Sequence, residues 1–162
     1  FVTSQVFTGD LGGIAGADAK CQAAAIAAEL PGTYRAWLSS STESTKDRLV
    51  HSSIPYRLLD GTEIAGNWVD LTDGSLDAGI NVSENKSPPG KGTHSCIPSS
   101  LPIVWTSTTD SGAAVAGEYF CDDWSGTTGD GSAGAAGFAD STWTSNCLPK
   151  CGDEAALYCV EQ

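Results

Sequence analysis

The sequence predicts a small α+β domain, with short antiparallel strands around one long helix, paired termini and three disulfides. Three observations carry this reading. Only one segment, rich in alanine, reads as a long helix. β-rich segments lie at the two extremes of the chain, with few between them. Six cysteines, an even number without a CxxC pair, are spread through a composition rich in Gly, Ser and Thr. At 162 residues the chain suits one domain, and no internal repeat or compositional shift marks a boundary. Residues 1–162 are therefore expected to form one unit.

Taken in order, Phe1 to Phe7 reads as a strand that ends in the turn signal of Thr8, Gly9 and Asp10. Gly12, Gly13 and Gly16 break the chain. The helix is expected from Ala17 to Leu30, where alanine supplies the best intrinsic propensity and Asp18 complements the helix dipole. Pro31 and Gly32 stop it. Cys21, Ala25 and Ala28 share a face at helical spacing, so the first cysteine points inward. Thr33 to Ser39 alternates as a strand does, Ser40 to Thr45 is a polar loop, and Lys46 to Val50 reads as one helical turn. A short strand over Tyr56 to Leu59 closes at Asp60 and Gly61. Asn67 is placed to cap a brief helix over Trp68 to Leu71, which ends at Asp73 and Gly74. Asn81 to Ser100 is a long loop carrying Cys96. Strands are expected at Ile103 to Thr106, Tyr119 to Cys121 and Ala156 to Val160, with irregular loop over Ser125 to Gly137.

Eight basic against twenty acidic residues leave a net charge of −12. Such a chain repels phosphate backbones, so nucleic acid and heparin-like polyanions are poor partners. No stretch approaches the ~20 apolar residues needed to cross a bilayer, so this segment is not expected to insert in a membrane. The chain opens at Phe1, without an initiating methionine or a signal peptide, as a processed or excised form of something longer would. Scattered cysteines with no histidine beside Cys147 and Cys151 favour disulfides over zinc, and hence an oxidising compartment. Counting alone leaves fifteen pairings open. A Cys21–Cys159 bridge would close almost the whole chain, a loop worth roughly 4–5 kcal/mol.

The candidate chemistries are few. Gly129 to Gly134 formally fits GxGxxG but follows no β-rich run and opens no helix, so no dinucleotide site is expected. His51 and His94 are the two imidazoles, and neither sits in a metalloprotease or Cys–His pattern. No catalytic residue is assigned and the chain is read as non-enzymatic. Asp70, Asp73 and Asp77 are weak calcium candidates, because the alternate oxygen ligands of an EF-hand are missing. Asp122 and Asp123 form a second acidic candidate. Trp37 and Trp105 lie in expected strands and are assigned to the core, whereas Trp68, Trp124 and Trp143 lie near loops, where an aromatic can anchor a ligand. Two N-glycosylation sequons occur, at Asn81 and Asn85. No cofactor is expected, calcium being the one candidate.

Ala15 to Gln22, with Gly16-Ala17-Asp18 and Cys21, followed by Leu30-Pro31-Gly32-Thr33-Tyr34-Arg35-Ala36-Trp37-Leu38-Ser39, resembles the first half of endostatin, the C-terminal domain of certain collagens. Val104-Trp105, Glu118 to Trp124 and Leu157 to Glu161 resemble its second half in the same order. With Asn67-Trp68, Asp70-Leu71-Thr72-Asp73-Gly74 and a final Tyr158-Cys159, the chain is similar along nearly its whole length to bacterial endostatin-like domains, including leptospiral endostatin-like outer-membrane proteins. The resemblance implies the endostatin-like variant of the C-type lectin fold. It implies the bridges Cys21–Cys159 and Cys121–Cys151, which leaves Cys96 with Cys147 to pin the 81–100 loop. It does not carry over endostatin's histidine-rich zinc site or basic heparin surface, because this N-terminus holds no histidine and the chain is acidic. The sugar-binding triplets of C-type lectins are also missing.

What the resemblance implies is an extracellular or cell-surface, non-enzymatic adhesion module of the bacterial-surface type. It would recognise a protein or glycan through the loops at 81–100 and 122–150. The alternatives are a subunit of an extracellular filament, assembled by self-association, and, more weakly, a calcium-dependent lectin. A concave, aromatic-lined surface favours ligand binding. A self-complementary apolar patch favours the filament, and converging aspartates favour the lectin.

Overall fold

The computed structural model describes residues 1–96 and 98–162. Its one long helix, α1, spans Gly13–Ala27. It starts four residues earlier than expected because Gly12 and Gly13, at φ 82° and 75°, make the sharp entry rather than a break. Gly16 belongs to the first turn: a Cβ there would lie 2.1 Å from the Leu11 carbonyl oxygen. The helix also ends early. Glu29 takes φ 57°, and the Leu30 N–H reaches back to the Ala25 carbonyl at 2.9 Å, a Schellman-type closure completed before Pro31. Ala17, Cys21 and Ala25 form the buried face.

The helix is tied to strand β1 (Tyr34–Ala36) by two side chains four residues apart. Gln22 Oε1 accepts the Tyr34 N–H at 2.8 Å, and Asp18 Oδ1 accepts that of Ala36 at 2.9 Å. Four helical residues rise about 6 Å and two strand residues about 6.6 Å, so the two spacings match. The remaining strands are β2 (Tyr56–Arg57), β3 (Glu63–Ala65), β4 (Ile103–Trp105), β5 (Ala133–Ala135), β6 (Ala156–Leu157) and β7 (Cys159–Glu161). Short helices follow at α2 (Thr45–Arg48) and α3 (Trp68–Leu71), the latter capped as expected by Asn67, whose side chain accepts from Val69 and Asp70. β1 pairs with β7 and β2 with β3, both antiparallel; the third sheet runs β5-β4-β6, antiparallel then parallel. The expected final strand is thus divided between two sheets, with Tyr158 at the crossing.

The termini do pair, but the N-terminal segment is not a continuous strand. Thr3 turns the chain by donating its hydroxyl to the Gln5 carbonyl at 2.7 Å, leaving isolated bridges at Val2 and Phe7. Two further expectations fail. The small-residue stretch before Gly137 carries β5, because closely packed backbone needs small side chains there: a Cβ on Gly134 would lie 1.9 Å from the Trp143 carbonyl oxygen. Tyr119 to Cys121 does not form a strand. It leads into a turn in which Cys121, Asp122, Asp123 and Trp124 all take φ between 50° and 66°. Left-handed backbone costs L-residues roughly 1–2 kcal/mol each, so long-range anchors must hold it. These are the Cys121–Cys151 bridge, the buried Trp124 indole donating to the Ser39 carbonyl at 2.7 Å, and the Leu11 N–H donating to the Trp124 carbonyl at 2.9 Å.

Two apolar clusters sit on opposite sides of the strands. Leu38, Ile103, Trp105 and Leu157 face α1, while the alternate residues Trp37, Val104, Ala156 and Tyr158 face Trp68, Leu71 and Trp143. A seam of buried hydroxyls runs with them: Ser39, Thr45 and Thr108 lie 2.8–3.1 Å apart, and the Trp37 indole donates to Thr144 Oγ1 at 2.8 Å. Disulfides join Cys21 to Cys159, Cys96 to Cys147 and Cys121 to Cys151. Among the described residues no helix is long and apolar enough to cross a membrane.

Candidate functional site

Among the described residues, a groove of about 410 Å³ lies between β7 and the segment from Val50 to Leu59. Phe1, Tyr34, Tyr56, Ile64, Ile80, Tyr158 and Val160 are among the residues that line it. Val50 and Ile54 stand on the rim at 61% and 70% exposure. The segment is held in place from both ends. The Val50 N–H donates to Gln162 Oε1 at 3.0 Å, and Ser52 donates its N–H to the Tyr56 hydroxyl, also at 3.0 Å. Ser52 and Ile54 close a small turn through the Ser52 hydroxyl, which is where Ile54 is pushed outward. Beneath this groove a smaller apolar hollow reaches Trp37, Leu71 and Trp143.

Phe1 forms one end of the groove and its amine is buried. The amine donates to the Cys159 carbonyl at 3.0 Å, and burial lowers its pKa from 8.0 to about 6, against a smaller opposing pull from Glu84 and Glu161.

Burial corrects the aromatic candidates. Trp124 and Trp143 are 0% and 1% exposed, and Trp68 is 8% exposed, so none is available for stacking on a ligand. Trp143 packs against Trp37 and Tyr158 with ring centroids 5.0 and 5.6 Å away. Trp68 is covered by His51, whose ring stacks on it at 4.0 Å while its Nε2 pairs with the Lys46 carbonyl. Asp122 and Asp123 are exposed, but Asp123 spends both oxygens on the N–H and hydroxyl of Ser41, each at 2.8 Å. Asp70 accepts the Gly66 N–H and Asp73 the Ser75 N–H, while Asp77 is exposed. Among the described residues no three His, Cys, Asp or Glu side chains converge as a metal site would require. Gly129 to Gly134 runs into β5 and opens no helix.

The long loops are tied to the body of the fold and still expose side chains, Phe138 and Leu148 among them at 44% and 49%. The 81–100 loop is bound through Cys96–Cys147, through Thr93 to Glu154 and through Ser95 to Asp153. Among the described residues, none from 81–100 or 122–150 lines the groove. The groove-forming Val50, Ile54, Pro55 and Tyr56 were missed from the sequence. Their one local signal is an aliphatic residue joined to proline inside an otherwise polar loop.

Three disulfides thus staple a small α+β scaffold of short strands that carries an apolar, aromatic-sided groove. The family model described as "Collagenase NC10 and Endostatin" matches residues 2–162. The chain belongs to the endostatin family. No curated protein matches it.

Proposed function

We propose that this chain is an extracellular, non-enzymatic recognition module that adheres to a protein or glycan ligand through the groove between β7 and residues 50–59. The observation that carries the reading is the pair of outward-facing aliphatic side chains, Val50 and Ile54, above an apolar concavity walled by Tyr34 and Tyr56. A groove of this volume lies within the ordinary range for binding sites, about 300–1,000 Å³. Three disulfides and membership of the endostatin family support an oxidising, extracellular setting. The rigid base has a physical role, since a ligand surface that is already ordered loses less entropy on binding.

The test compares wild type with Ile54→Asp on arrays of matrix proteins and glycans. Ile54 is largely exposed, so the variant is expected to unfold within about 0.5 kcal/mol of wild type. Its signal on the ligands that wild type captures is expected to fall at least tenfold. Undiminished capture would move the recognition surface away from the groove.

A further inference from the structure

We propose that Cys147 is a thiol-exchange site, where an external thiolate opens the Cys96–Cys147 bridge and leaves the other two bridges closed. A thiolate must reach a sulfur to displace its partner, so access ranks the bridges within one fold. Five of the six cysteines are buried: Cys21, Cys121, Cys151 and Cys159 are at most 2% exposed, and Cys96 is 6% exposed. Cys147 alone is half-buried, at the edge of its apolar cluster. Its neighbours Asn146 and Leu148 are exposed and uncharged, so they add no negative charge against an incoming thiolate. The other bridges are covered. A Cβ on Gly9 would lie 2.6 Å from Cys121 Sγ and one on Gly131 2.8 Å from it, so two stretches of backbone close over that sulfur. Cys21 lies on the buried face of α1. Reaching either of these bridges takes local unfolding of what covers it.

The two cysteines of the accessible bridge are held differently. Cys147 is anchored through its backbone: its N–H donates to the Ala133 carbonyl at 3.1 Å, and its carbonyl accepts the Ala133 N–H at 2.9 Å. Cys96 belongs to a segment fixed at its two ends. Ser95 donates its N–H to Asp153 at 2.8 Å, and the Pro102 carbonyl accepts the Ala136 N–H at 2.9 Å. Between those points the backbone hydrogen bonds among the described residues stay within the segment, as from Leu101 to Pro98, and the disulfide is the tie to β5. Exchange therefore runs in one direction. The external thiolate forms a new bond to Cys147 Sγ, the Cys96–Cys147 bond breaks, and its electron pair leaves on Cys96 Sγ. A second external thiolate attacks the external sulfur of this mixed disulfide, releasing Cys147 as a thiolate and itself ending in an oxidised external disulfide. Two electrons have then passed from the external thiols to the bridge. The segment that carries Cys96 is released, whereas Cys147 stays on β5.

The probe is reduced glutathione at millimolar concentration, applied to the folded chain and followed by iodoacetamide trapping and peptide mapping. Cys96 and Cys147 are expected to open at least tenfold faster than the other four cysteines. The first trapped species is expected to carry glutathione on Cys147 and the alkyl group on Cys96. In guanidinium, where every sulfur is accessible, the ranking is expected to vanish. In the isotope-labelled chain, opening is expected to move the amide signals of Ser99 and Leu101 and to leave those of β1 and β7 in place. The variant Cys96→Ser gives a second measure, because it leaves Cys147 as a lone thiol. That thiol is expected to react with an aromatic disulfide reagent while the chain is folded. Equal opening of the three bridges in the folded chain overturns the proposal, and so does a ranking that persists in guanidinium. Glutathione on Cys96 instead of Cys147, or a lone Cys147 that reacts only on unfolding, does the same. Loss of the β1 and β7 signals on opening would make the bridge a support of the whole fold and likewise overturn exchange at one site.

Discussion

Replacing Cys21 and Cys159 together by alanine is expected to lower stability by about 5 kcal/mol, the largest loss for any of the three bridges. The two residues are 138 apart in sequence, against 51 and 30 for the other pairs. In the chain-entropy model the benefit of a bridge grows with the logarithm of the loop that it closes. A bridge closing nearly the whole chain removes more unfolded conformations than either of the others. The position compounds the effect, since this bridge clamps the buried face of α1 to β7, the strand to which β1 and Phe1 both attach. Guanidinium denaturation of the double variant, beside the equivalent Cys96/Cys147 and Cys121/Cys151 variants, measures the order. A loss below about 2 kcal/mol would mean that hydrogen bonds among Phe1, β1 and β7 hold the closed chain without covalent help.

Asp18→Asn is expected to cost about 3–5 kcal/mol, a large effect for the loss of one charge. The Arg48 side chain is 3% exposed, and its guanidinium meets both oxygens of Asp18 at 2.6 and 2.5 Å. It also donates to the Ala36 carbonyl at 2.6 Å, and Glu43 lies 3.7 Å away. Removing the Asp18 charge leaves a desolvated guanidinium facing carbonyls and one distant carboxylate. The amide of the variant still accepts the Ala36 N–H, so β1 keeps its tie to the helix. Combining Asp18→Asn with Arg48→Met is therefore expected to be more stable than Asp18→Asn alone, because no charge remains buried. Equilibrium unfolding of both variants tests this. A cost below about 1 kcal/mol for Asp18→Asn would show that Glu43 replaces the lost partner.

The ion pair also shows how far local reading goes. Asp18 was legible as a first-turn acidic residue that suits the helix dipole. Its work lies elsewhere, in binding Ala36 across the sheet edge and Arg48 in the core. The same limit applied to the tryptophans. Proximity to loops made Trp68, Trp124 and Trp143 look available, yet an indole beside a loop is often that loop's anchor to the core. His51, seventeen residues before Trp68, is the ring that stacks on it, and no periodicity links the two.

The sequence by itself determined the α+β class, the single long helix, the Asn67 cap, the turn at Asp60 and Gly61 and the closing of the two termini. Each of these rests on interactions within a few residues or on an apolar pattern with a short period, save the closing of the termini, which rests on β-rich segments at both ends. Tertiary structure decided the rest. The left-handed run at Cys121 to Trp124 opposes local preference and persists through a disulfide and a buried indole contributed from elsewhere. β5 exists because Gly134 lets two backbones meet, although its composition reads as loop. The groove joins Phe1, residues 50–59 and β7, segments that come together only when the chain ends pair.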